Sequence, residues 1–178
     1  MGLVETEKRE LFNFASPFIY ALGVVLDKND RPNIIGLGWW SFVSGSPLMC
    51  VIAVAPERYS YECLEYHDEF TLNFPSVEQA KGAWLCGKKS GRGIDKFAET
   101  GFRQKVSKHV KVPMIENSSA AFECKIVNKV DTGDHRTYVG EILAQYVDVE
   151  RKSHIYTVGY WDMLGFGADL NVIEKLGE

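Results

Sequence analysis

The chain has 178 residues, 46% apolar and 25% charged, which suits a globular protein with a substantial core and predicts one domain over 1–178. A formal net charge of −4 argues against general nucleic-acid affinity, and no apolar run approaches the ~20 residues that cross a bilayer. The opening MGLVETEKRELF is acidic and mixed, unlike a secretory signal, and Lys8 with its acidic neighbours gives no myristoylation context. A cytoplasmic protein with neither membrane nor nucleic acid as partner is therefore expected.

In chain order, FIYALGVVLDKNDRPNIIGLGWWSFVSG is predicted as two strands around a turn whose chemistry lies in Lys28 to Pro32. PLMCVIAVAP, Pro47 to Pro56, is almost continuously apolar between prolines and is predicted as a central strand buried on both faces. Ser60 is placed to cap a short helix reaching Tyr66, and EFTLNF, Glu69 to Phe74, returns as a strand. SVEQ, Ser76 to Gln79, matches a capping box that starts a helix ending near Gly87, and IDKFAETG reads as a short helix closed by Gly101. Beyond Pro113, AAFECKIVNKV alternates, RTYVGEILAQYVDV is long and rich in β-branched and aromatic residues, and SHIYTVGYWDML is predicted as the last strand. The aromatic run YWDMLGFGADL is a candidate for interface burial.

Strands thus surround a helical middle, with no linker, repeat, GxGxxG or Walker A sequence. A mainly β (α+β) fold is expected: an antiparallel, Greek-key-like closed or split barrel with inserted helices, rather than a Rossmann sheet. The four cysteines, Cys50, Cys63, Cys86 and Cys124, form no CxxC pair, so no zinc or iron–sulfur site is expected. Cys50 and Cys124 lie in apolar strand-like runs and read as reduced, buried thiols.

Four stretches could carry chemistry, and each also has a purely structural reading. In GWWSFVSGSP, adjacent tryptophans on a strand face opposite ways, so one of Trp39 and Trp40 can enter the core while the other covers a ligand or an interface. In APERYS, Arg58 and Ser60 stand at a predicted helix start, whose free N–H groups and partial positive charge suit a phosphate; a solvated Arg58 beside a capping Ser60 is the plainer alternative. Between Lys88 and Lys111 the local charge balance is +6, and glycines at 87, 91 and 93 would let backbone approach an anion, although a solvated cationic face has the same composition. In VDTGDHRTYVGEI, Gly133 permits a turn and Asp134 can hold it through its own backbone. His135 is then either an exposed turn residue or a donor to a bound ring, with an imidazole's capacity to exchange protons near neutral pH.

Taken in order, NIIGLGWWSFVSGSPLMCVIAV, PERYSYECLEYHDEFTLNFP, KKSGRGIDKF and GDHRTYVGEI resemble the flavin reductase-like family of FMN-binding split β-barrels, in its flavoredoxin-like branch, from about Ser16 to Tyr160. The resemblance implies noncovalent FMN, a homodimer with the flavin near its interface, NAD(P)H as electron donor, and a flavin, ferric iron or redox protein as acceptor. It implies that Trp39, Trp40, Ser41 and Phe42 line the isoalloxazine edge with Asn33 nearby. Arg58, Tyr59 and Ser60 would hold the phosphate and ribityl chain, Asn73 would face the flavin, and Lys89, Ser90 and Lys96 would complete the phosphate pocket. His135 would stand near the reactive ring as the catalytic residue, positioning substrate or exchanging a proton. The residues leave two alternatives open: an FMN electron carrier reduced by a partner protein, and a noncatalytic barrel that binds an anionic ligand.

Overall fold

The computed structural model describes residues 2–7, 11–12, 14–15, 17–150, 154–157 and 164–167. Its main body is a seven-stranded sheet in the order β3-β2-β6-β9-β10-β5-β4. The strands are β2 (Ala21–Leu26), β3 (Pro32–Leu37), β4 (Trp40–Gly45), β5 (Leu48–Val54), β6 (Glu69–Phe74), β9 (Ala120–Thr132) and β10 (His135–Val147), and every neighbouring pair is antiparallel. A smaller sheet joins β1 (Phe18–Ile19), β11 (His154–Thr157) and β12 (Leu164–Gly167), and a two-stranded one joins β7 (Gln104–Lys105) to β8 (Met114–Ile115). The helices are α1 (Tyr59–Tyr66), α2 (Ala80–Lys88, entered through a 3₁₀ turn over Val77–Gln79) and α3 (Lys96–Thr100).

The period-2 alternation of β2 explains how this sheet is covered. Ala21 and Val25 point into one apolar cluster with Leu37, Ile52, Phe70, Leu72, Phe122 and Tyr138, residues drawn from strands far apart in the sheet order. The sheet therefore curls around that cluster as a barrel does. Leu22, Val24 and Leu26 point the other way, into a second cluster with Ile34, Ala83, Cys86 and Phe97, where α2 and α3 pack. ALGVVL is consequently buried on both faces, as is β6 from Phe70 to Phe74. Pro47 to Pro56 is not, contrary to expectation: β5 alternates between buried and half-buried residues, because the helices contact β2 and β3 and leave its outer face partly open.

Other local expectations need smaller corrections. Arg58, not Ser60, occupies the N-cap of α1, and no side chain caps it. The capping box at Ser76 and Gln79 is present, and α3 is closed by Gly101 in the left-handed conformation at φ 71°. The first predicted pair of strands is divided into β1 to β4. All four cysteines are free and buried. Much of the aromatic C-terminal run lies outside the described residues. No described helix is long and apolar enough to cross a membrane.

Candidate functional site

A cavity of about 400 Å³ opens where the barrel edge, α1, the end of α2 and β11 meet. Its polar end is built around the start of α1. The chain leaves β5, turns through a backbone bond from Arg58 N–H to Ala55 C=O (3.0 Å), and enters the helix with Arg58 extended. With no capping side chain, the first-turn N–H groups other than that of Tyr61, which donates to the Arg58 carbonyl at 3.0 Å, are available to a ligand. Ser60 is buried, and its hydroxyl accepts a 2.8 Å hydrogen bond from Asn33 Nδ2 on β3. Asn33 Oδ1 is buried without a protein partner, although Asn33 itself lines the cavity. A buried acceptor left in this way costs roughly 1–3 kcal/mol until a donor reaches it.

The loop after α2 brings cations to the same place. Gly91 packs so closely on Asn33 that a Cβ there would fall 1.9 Å from Oδ1, so only glycine lets the loop backbone approach. Next to it, Arg92 donates to the Glu57 carbonyl at 3.1 Å, pairs with Glu62 at 3.5 Å and lies 5.5 Å from the centre of the Tyr59 ring. Tyr59 is anchored in turn by its hydroxyl, which donates to Asp27 at 3.2 Å; burial, then the nearby Cys63 and Asp27, push this phenol up to about 12. Lys89 pairs with Glu99 at 3.8 Å at the solvent side. Lys96 is buried, with Nζ donating to the carbonyls of Ile34 (2.5 Å) and Cys86 (2.8 Å). Burial, assisted by the positive charge of Arg58, lowers its pKa to about 8.

The opposite end is aromatic. Trp39 stacks against His135 with ring centres 4.6 Å apart, and Phe12 lies 5.5 Å from Trp39 on another side. Phe18, Ile35 and Leu37 continue the apolar wall. His135 Nδ1 is 2.7 Å from Asp134 Oδ1. An anion-binding end joined to a flat apolar end can hold a ligand that is itself aromatic at one end and charged at the other.

The structure therefore brings Asn33, Trp39, Arg58, Tyr59, Ser60, Lys89, Ser90, Lys96 and His135 to one cavity. It does not bring Trp40, Ser41, Phe42 or Asn73 there. Trp40 packs on Phe74 at 4.9 Å and donates its indole N–H to the Ile19 carbonyl at 2.8 Å, because it faces the barrel side opposite Trp39. Ser41 and Phe42 lie on the exposed edge strand β4. Asn73 is spent on packing: its amide donates to the Leu22 carbonyl and Thr71 Oγ1, and its oxygen accepts from Ile115 N–H at 2.9 Å. Arg92, Trp84 and Phe12 also line the cavity but were not among the expected residues. Arg92 was visible in the glycine-spaced basic stretch, whereas nothing local marks Phe12.

The model of the flavin reductase like domain matches residues 15–162. An uncharacterised protein of Pyrococcus abyssi is 33% identical over 121 residues, 68% of this chain and 69% of that protein. Another from Archaeoglobus fulgidus is 35% identical over 114 residues, 64% of each chain. Among solved structures, flavoredoxin of Desulfovibrio vulgaris (Miyazaki F) superposes with a TM-score of 0.82 at 21% identity, over 96% of this chain and 94% of its own. An FMN-binding protein from Thermus thermophilus, with bound p-hydroxybenzaldehyde, also gives 0.82, at 22% identity over 94% and 96%. The fold is thus that of split-barrel flavin proteins, and the match over 15–162 spans both ends of the cavity; the chain belongs to the flavin reductase-like family.

Proposed function

We propose that this protein is an FMN-dependent oxidoreductase that takes electrons from NAD(P)H and delivers them to a flavin, ferric iron or a redox partner protein. The observation that carries the reading is the single cavity, with uncapped helix amides and Arg58, Lys89 and Arg92 at one end and Trp39 and His135 at the other. The residues present fit FMN. Its phosphate carries about −1.5 to −2 charges at neutral pH, which suits arginine donors and a helix start. Asn33 Oδ1, buried and unpaired, needs a hydroxyl or N–H donor, which a polyol arm offers and a bare anion does not. FMN is also the ligand of the Thermus thermophilus protein that shares this fold.

When bound, FMN supplies the electron-transfer chemistry that the side chains lack. The protein's part is then binding and orientation. Arg58, Lys89, Arg92 and the first amides of α1 hold the anionic end, with Ser60 and Asn33 beside them. Trp39 and Phe12 exclude water from the aromatic end, and His135 holds or moves a proton there. Assembly as a homodimer belongs to the same proposal and is supported by Phe42 and Val43, large apolar residues exposed on edge strand β4.

The first test is release of the chromophore by denaturing the purified protein and identifying it by chromatography. FMN supports the reading; a colourless preparation that also fails to take up added FMN overturns it in favour of another anionic ligand. Anaerobic addition of NADH or NADPH should then bleach the flavin. Bleaching only by a reduced partner protein would make the chain an electron carrier.

A further inference from the structure

His135 opens β10 immediately after a two-residue turn, at the rim of the cavity. The turn is Gly133-Asp134, with Gly133 at φ 70°, a conformation that places glycine first in a tight hairpin loop. Several bonds hold this hairpin. Thr132 Oγ1 donates to the His135 carbonyl at 3.1 Å and lies 3.0 Å from Thr137 Oγ1. Arg136, the neighbouring cation, pairs with Asp131 at 2.7 Å and Glu65 at 3.1 Å. Trp39 covers the imidazole at a 41° tilt. Backbone, neighbours and stacking together fix the plane of the ring.

The remaining variable is which nitrogen carries the proton. Asp134 Oδ1 is 2.7 Å from Nδ1, and an ionised carboxylate can only accept. The neutral ring must therefore carry its hydrogen on Nδ1, since the other tautomer would set a lone pair against the carboxylate. Nε2 is then left unprotonated, as in sites where a carboxylate orients a histidine whose other nitrogen does the work. We propose that Asp134 is a positioning residue that fixes the Nδ1–H tautomer of His135, so that Nε2 is the nitrogen that takes or gives a proton at the cavity. The cavity role rests on the flavin reading above; the tautomer assignment does not.

The test is nitrogen-resolved NMR of the imidazoles in the full chain at mildly alkaline pH, with and without added FMN, the His135 signal being assigned from a His135→Gln spectrum. Wild type should show Nδ1 protonated and Nε2 bare. Asp134→Ala should move the ring toward the Nε2–H form. Asp134→Asn, which keeps a neutral acceptor and a turn-compatible side chain, should fall between them. In the FMN-loaded protein, Asp134→Ala should slow flavin reduction about tenfold with flavin occupancy unchanged. A wild-type ring protonated on Nε2, or one whose tautomer is the same in all three proteins, overturns the proposal. Failure of the flavin reading would appear separately, as a protein that neither carries nor takes up FMN while its Nδ1–H signal persists.

Discussion

His135 and Lys96 show how burial and partners assign work to single side chains. His135 contributes an ionisable ring at the aromatic end and takes no part in the anion-binding end. Replacing it by alanine should leave FMN bound but slow reduction by about 100-fold, the lower part of the range for a lost general acid or base. Stopped-flow reduction beside a flavin titration measures both; loss of FMN with an unchanged rate would place His135 in binding instead. Lys96 is held by two backbone carbonyls between β3 and α2, and its pKa falls from 10.5 to about 8. Its folded value lies below its unfolded one, so the unfolded chain binds more protons between those two values. The cost of burying the charge is therefore fully present below about pH 8 and is relieved as pH rises toward 10.5. Across that window wild type should gain stability relative to Lys96→Met by roughly 3 kcal/mol, measured by urea unfolding of both proteins.

At the scale of elements, carboxylates, one buried and one exposed, tie loops and helices to the sheet. Glu123 on β9 is fully buried and accepts from Lys108 N–H (2.9 Å), His109 N–H (2.6 Å) and the Tyr146 hydroxyl (2.6 Å). Burial alone would raise its pKa, but those three donors outweigh it and hold the carboxyl below its usual value. The stabilisation is present above the unfolded value of about 4.3 and is lost as pH falls through the folded one. Glu123→Gln should destabilise the protein by about 1–3 kcal/mol at neutral pH, and the gap to wild type should close on acidification. A second device is Glu65 on α1, which meets Arg136 and the Tyr138 hydroxyl, both at 3.1 Å, on β10. It fastens the far end of the anion-binding helix to the strand that begins with His135.

For the whole molecule, ligand affinity and stability are linked through the cavity, because it is lined by a strand edge, a helix start, a loop and β11 together. Saturating FMN at about 100 times its Kd should add about 2.7 kcal/mol to stability, seen as a rise in Tm. Riboflavin, which has the same ring and polyol but no phosphate, should give a much smaller rise, since Arg58, Lys89, Arg92 and the α1 amides would have no anion to bind. Equal shifts from the two ligands would remove the anion end from the binding site.

Much of the local chemistry was legible, although the helix start was expected at Ser60 and lies at Arg58. The turn at Gly133, the capping box at Ser76 and Gln79, the closure of α3 by Gly101 and the cation-rich loop beside Gly91 all depend on backbone conformation and short-range hydrogen bonding, which neighbouring residue types dictate. The family resemblance, carried by ordered motifs, extended that reading to the barrel. Tertiary structure alone decided which strand lies between two layers, since ALGVVL and LMCVIAV are equally apolar and only the placement of α2 and α3 distinguishes them. It likewise put Asn73 to use in packing, turned Trp40 and Trp39 to opposite sides, and brought Phe12 to the cavity that His135, more than a hundred residues later in the chain, also lines. Side-chain type sets what a residue can do. Which partners surround it follows from contacts between distant segments, and those are formed only when the sheet closes.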